Sequence, residues 1–158
     1  MFKALIIFSL LAAFIPGRKV NMSNMEQLQH EVKKTNDTLY VVNFWATWCS
    51  PCVKEMPYFE KANKDFEANK VKVVFVSLNS PKEIAQVEKF VNDKQVKADV
   101  TLLNAGNPNL WIDSVDKSWS GAIPATAMYR NGQKVFFREG EFTQAKLDSI
   151  IKTKNQNQ

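Results

Sequence analysis

Apolar and polar positions alternate between two periods along the chain. From Met25 to Lys34 the apolar residues fall at Met25, Leu28 and Val32, a spacing that predicts a helix. After a turn at Asn36-Asp37, Leu39 to Trp45 forms a β-branched and aromatic run of strand length. A run apolar on both sides of the pleat predicts a buried central strand. From Cys49 to about Ala68 the pattern turns helical again, with Val53, Met56, Phe59, Ala62 and Phe66 three or four residues apart and Pro57 expected to kink the helix. Val71 to Leu78 is a second continuous apolar strand. Asn79-Ser80-Pro81 then signals a helix start, with Ser80 as cap and Pro81 in the first turn, and the helix runs to about Asn92.

A third strand is expected near Asp99 to Asn104, followed by a segment through Trp111 and Trp119 that carries no clear period. Ala125–Tyr129 and Val135–Arg138 flank Asn131-Gly132, a strong short-range hairpin signal. Thr143 to Ile151 closes the pattern as a helix with Leu147, Ile150 and Ile151 inward, and residues 154–158 are expected to form a flexible tail. The predicted order is thus a leading helix, β-α-β-α-β, a β-hairpin and a final helix. That order makes an α/β domain over residues 25–153, a central mixed sheet with a parallel βαβ core and a C-terminal antiparallel hairpin, flanked by helices.

Residues 1–17 stand apart. Lys3 precedes an apolar run from Ala4 to Ile15, closed by Pro16-Gly17-Arg18-Lys19, the layout of a signal peptide. This run of twelve residues, eleven of them apolar, is short of the roughly 20 that cross a bilayer comfortably. Cleavage near Ala13 or Gly17 is expected. With no A-x-A triplet there, an uncleaved N-terminal anchor stays open, and no cysteine is present to accept a lipid.

Composition changes this picture little. The 158 residues suit one domain, and 45% hydrophobic with 23% charged residues is ordinary globular usage. The net charge of +5 comes from lysines scattered among acidic residues, with only Arg18, Arg130 and Arg138 as arginines, so the chain is not expected to bind nucleic acid.

The two cysteines, Cys49 and Cys52, lie three apart where a helix opens behind a buried strand. A disulfide between them closes too small a loop to stabilise a fold much, because the loop-closure contribution grows with loop length. The pair suits switching better than stapling. At a helix start, unpaired N–H groups and the positive end of the dipole stabilise a thiolate, which is the nucleophile. Cys49 is therefore expected to attack. Cys52, one turn on, is expected to resolve, and Pro51 presets the first turn. Three bland alternatives compete. A tetrahedral zinc site wants four ligands and the rest of the chain offers only His30 and carboxylates, so no metal is expected unless two chains share one. An inert core pair fits poorly with Ser50-Pro51 between the cysteines and Trp48 before them. A copper chaperone would want a further histidine near the pair, whereas His30 lies in the first helix.

The segment Val41-Val42-Asn43-Phe44-Trp45-Ala46-Thr47-Trp48-Cys49-Ser50-Pro51-Cys52, with Pro57 beyond it, resembles the thioredoxin superfamily. Within it the chain looks like the exported TlpA/ResA-like disulfide reductases over most of its length after residue 25. That resemblance implies a thioredoxin-like fold and no cofactor. It implies a cis Ile123-Pro124 bond in the loop Gly121 to Thr126, packed opposite the cysteines, with the Ile123 backbone pairing to substrate. Asn43 stands where cytoplasmic thioredoxin has a buried Asp. Glu55 stands where the ResA-like branch carries a functional Glu, either a proton acceptor for Cys52 or a solvated helix residue. Trp111 and Trp119 either border the site or belong to the core, core being favoured. An AhpC-type peroxidase is disfavoured, since its reactive cysteine has no partner three residues away.

The resemblance implies a thiol-disulfide oxidoreductase outside the cytoplasm, a monomer that reduces oxidised exported proteins, in cytochrome c maturation or elsewhere, and is re-reduced by a membrane thiol donor. A disulfide oxidant and a non-catalytic binding module with the cysteines as a redox latch are the alternatives.

Overall fold

A computed structural model describes residues 17–156. The leader expected over residues 1–17 lies outside these residues but for Gly17, and among the described residues no helix is long and apolar enough to cross a membrane. The elements in chain order are β1 (Asn21–Ser23), α1 (Met25–Val32), β2 (Leu39–Trp45), α2 (Ser50–Asp65), β3 (Val71–Ser77), α3 (Ile84–Asp93), β4 (Asp99–Leu103), α4 (Ile112–Val115), β5 (Ala125–Arg130), β6 (Gln133–Glu139) and α5 (Gln144–Gln156).

They form one six-stranded sheet in the order β1-β4-β3-β2-β5-β6. The first four strands of that order are parallel, and β5 and β6 add antiparallel on the other side. β2 is buried at all seven positions because both of its faces are covered. Leu39, Val41 and Trp45 point into a core shared with α2, α3 and α5, while Tyr40, Val42 and Phe44 point into a second core shared with α1 and the segment around α4. The sheet is the mixed, helix-flanked one that the apolar pattern predicts. The Asn131-Gly132 signal is also realised: both residues have positive φ, 49° and 77°, as the tight turn joining β5 and β6 requires.

Three features depart from the sequence reading. The folded unit begins before residue 25: β1 pairs with β4, and Arg18 is pinned by hydrogen bonds to Asn92 and to the carbonyls of Val96 and Ala98. A three-residue strand has too few positions to show a period. The expected tail is corrected in part, because α5 continues to Gln156. Arg130, itself buried, donates to both the carbonyl and the side-chain oxygen of Asn155, at 2.6 and 2.7 Å, and holds the last turn in place. The helix that opens at Ser50 ends at Asp65, earlier than Ala68, and a 3-10 turn takes over at Glu67–Asn69; Pro57 stands inside α2 without ending it.

Candidate active site

The cysteine pair sits at the C-terminal end of β2, where open parallel sheets place their reactive groups. The chain leaves β2 at Trp45, turns through Ala46 to Cys49, with the Cys49 N–H donating to the Ala46 carbonyl at 3.1 Å, and enters α2. Cys49 is the N-cap of α2 and Pro51 lies in its first turn. Cys49 and Cys52 are disulfide-bonded, with Cα atoms 5.3 Å apart. The Cys52 N–H points at Cys49 Sγ at 3.4 Å, one of the donors a helix start leaves free. Cys52 is fully buried at 0% exposure and Cys49 retains 5%. Trp48, next to Cys49, is 64% exposed. An indole so placed contributes little to the core and is available to a partner.

The Ile123-Pro124 bond is cis, and the Ile123 carbonyl lies 3.7 Å from Cys49 Sγ. The loop before β5 therefore stands against Cys49, the less buried of the two cysteines. Trp119 belongs to this arrangement. Its ring is buried in the second core and its indole N–H donates to the Ala122 carbonyl at 2.8 Å, fixing the loop from beneath. Trp111 packs edge-on against Trp119. Both tryptophans are core, and both also wall a cleft of about 400 Å³ that reaches Gly121.

Glu55 is buried at 1% exposure, so the solvated reading fails for it. Its carboxylate accepts the Asn43 side-chain amide at 2.9 Å and the Phe142 backbone N–H at 2.6 Å. Burial pushes its pKa above the usual carboxylate value, against the opposing pull of those two hydrogen bonds. Asn43 is itself fully buried, donates also to Thr126 Oγ1 at 3.2 Å, and leaves its own oxygen without a partner among the described residues. A polar cluster of Asn43, Glu55 and Thr126 thus lies inside the first core, with Glu55 one turn beyond Cys52.

Sequence reasoning missed three contributors. Thr126 and the Phe142 N–H come from distant segments and carry no local signal. Asn79 reads as part of a helix start, yet it is buried and grips the turn before Cys49, with its side-chain oxygen accepting the Thr47 N–H at 2.9 Å. His30 is exposed on α1, and no group of three or more His, Cys, Asp or Glu gathers among the described residues.

Comparison with known proteins agrees with this geometry. Residues 4–135 match the family model described as the AhpC/TSA family. The chain is 25% identical over 134 residues to a thiol-disulfide oxidoreductase ResA of Bacillus thuringiensis, covering 83% of this chain and 72% of the relative. It is 43% identical over 58 residues to the thioredoxin-like protein YneN of Bacillus subtilis, 37% of this chain and 29% of that one. Among solved structures, a thiol:disulfide interchange protein of Chlorobium tepidum superposes with a TM-score of 0.63 at 23% identity, covering 80% of this chain and 84% of that one. StoA of Bacillus subtilis superposes with a TM-score of 0.57 at 24% identity, covering 73% and 82%. Fold, disulfide and relatives converge: the chain belongs to the AhpC/TSA family, in its thioredoxin-like part, and is a thiol-disulfide oxidoreductase similar to ResA.

Proposed function

We propose that this oxidoreductase works as a reductant of disulfides in exported proteins, with Cys49 as the attacking and Cys52 as the resolving residue. The observation that carries the reading is the unequal placement of the pair: Cys49, at the N-cap of α2, keeps 5% exposure beside the exposed Trp48, and Cys52, one turn on, is sealed at 0%. In the reduced enzyme the Cys49 thiolate attacks one sulfur of a substrate disulfide, and the other substrate sulfur leaves as a thiolate. Cys52, deprotonated, then attacks Cys49 Sγ, breaks the mixed disulfide and releases the second substrate thiolate. Two electrons pass to the substrate and the enzyme is left with the Cys49–Cys52 bridge. A membrane-bound dithiol donor restores it. Trp48 and Ile123 flank the attacking sulfur and suit contact with an extended substrate chain. Glu55 is the group placed to take the proton from Cys52.

Export is supported by the positively charged, apolar leader layout of residues 1–17. The direction of electron flow is supported by Ile123, which resembles the residue before the cis-proline of thioredoxins, and by the similarity to ResA.

Reduction of insulin with dithiothreitol as donor tests the reading, together with Cys52→Ser, which should accumulate mixed disulfides through Cys49. Absence of both turnover and trapping would favour a non-catalytic module that uses the cysteines as a latch.

A further inference from the structure

The turn that presents Cys49 is gripped at Thr47 by an amide that is not part of the cysteine motif. Asn79 lies just past the end of β3 and is 2% exposed. Its Oδ1 accepts the Thr47 backbone N–H at 2.9 Å and the Ser77 hydroxyl at 2.9 Å. Its Nδ2 donates to Thr47 Oγ1 at 2.8 Å and to Glu83 Oε2 at 3.4 Å. Two acceptor sites and two N–H groups are all that a side-chain amide offers, and all four are used. Two of them close on one residue, Thr47, whose hydroxyl also accepts from Gln86 at 3.2 Å.

Thr47 is the second residue after β2, where strand pairing no longer dictates the backbone. Within the turn itself the Cys49 N–H donates to the Ala46 carbonyl, and the Gln86 amide adds a bond to the Thr47 hydroxyl from outside. The Asn79 grip on main chain and side chain at once fixes where the turn delivers Cys49 relative to the first N–H groups of α2. Burying an amide is costly unless every polar atom is matched; here the matching is directed at the redox turn. Glu83 extends the grip by accepting the Ser80 N–H at 2.8 Å, so the start of the 3-10 turn leading into α3 is tied to the same amide.

We propose that Asn79 is a positioning residue for thiol-disulfide exchange, holding turn 46–49 so that Cys49 Sγ stays against the Cys52 N–H at the mouth of α2. This deepens the reading of Cys49 as the attacking thiolate and rests on it. When the grip is lost, the turn relaxes, the sulfur leaves the helix N-terminus, and the thiolate loses stabilisation the size of a helix-end contribution.

Asn79→Leu removes all four bonds at nearly constant volume. Thr47→Val, at a half-buried residue, cuts only the hydroxyl contacts and serves if Asn79→Leu does not fold. Val87→Ala, a truncation in the buried face of α3, supplies a destabilised control. The readout is the pH profile of iodoacetamide alkylation of Cys49 in the reduced protein. The profile should move up by about half a pH unit in Asn79→Leu and by less in Thr47→Val, with a roughly three-fold slower reaction on its acid side. Val87→Ala should lower Tm and leave the profile in place. Unmoved profiles in whichever of the first two variants fold, with Tm lowered as in the control, would overturn the proposal and make Asn79 a purely structural amide. Alkylation needs no protein substrate, so a wild-type protein that shows this profile but fails to reduce insulin would refute the reductase reading and leave the role of Asn79 intact.

Discussion

Glu55 in α2 accepts the backbone N–H of Phe142 at 2.6 Å, joining the helix that carries both cysteines to the segment just before α5, 87 residues away in the chain. Phe142 also packs its ring edge-on against Phe59 of α2, with centroids 5.9 Å apart. The two contacts make the floor of the redox site a joint between the first and last parts of the fold. They also keep a carboxyl group in the core whose charge is expensive.

That cost gives stability a pH dependence with a definite sign. Burial raises the pKa of Glu55 above its unfolded value, so the native state holds the proton more tightly than the unfolded chain does. Stability should therefore fall as pH rises from about 4.3, the unfolded value, through the raised native value. Glu55→Gln should remove this slope in urea unfolding at a series of pH values. The variant should fold, because its carbonyl can take the Phe142 N–H and, once the Asn43 amide turns over, its own amide can donate to the Asn43 oxygen, which has no partner among the described residues. A retained slope would show that Glu55 is not its source.

The same substitution separates structure from chemistry. If Glu55 takes the proton from Cys52, Glu55→Gln should slow resolution of the mixed disulfide about 10²-fold, at the lower end of general-base contributions, and leave the initial attack by Cys49 unaltered. Rapid-mixing kinetics with a peptide disulfide would read both steps. An unchanged resolving step would end the proton-acceptor role.

Asp116 has the opposite sign. Burial pushes its carboxyl up, but Lys134 and the Ser118 hydroxyl and N–H outweigh that and hold it down at about 2. A depressed carboxyl contributes stability that is complete above its unfolded value, about 3.9, and is lost as pH falls toward 2. Lys134→Met should weaken this acid-side dependence. Acid unfolding curves identical to wild type would contradict it.

Trp48 and Phe59 make a contrasting pair. Trp48→Ala removes an exposed indole and should leave stability within about 0.5 kcal/mol, while kcat/KM for protein disulfides falls about ten-fold, in keeping with the loss of one aromatic contact. A small disulfide such as oxidised glutathione should be less affected. Phe59→Ala empties a site packed by Phe75 and Phe142 and should cost about 3–5 kcal/mol. Equal stability losses in the two variants would refute the assignment of surface and core.

The sequence made the frame of the molecule legible because β2 and β3 are long enough, and buried enough on both faces, to stand out as apolar runs. The Asn131-Gly132 turn announced the hairpin for a local reason, its need for two positive φ angles. β1 was not legible, since three residues, Asn21, Met22 and Ser23, held by pairing to β4 are too few to show a pattern of their own. The same distinction runs through the site. Cys49, Pro51 and Cys52 declare themselves by spacing. The burial of Glu55 depends on Phe142, and the grip on Thr47 depends on Asn79, contacts across 87 and 32 residues that only the closed sheet brings together.

The reductant role depends on the direction in which the Cys49–Cys52 couple passes electrons, and the redox midpoint of the couple measures that directly. Equilibration of the protein with glutathione or dithiothreitol buffers, followed by Trp fluorescence or alkylation of Cys49, gives the value. A reductant should sit near the thioredoxin end of the range, about −270 mV. A midpoint near −120 mV, the strongly oxidising end, would contradict the account and make the protein a disulfide donor.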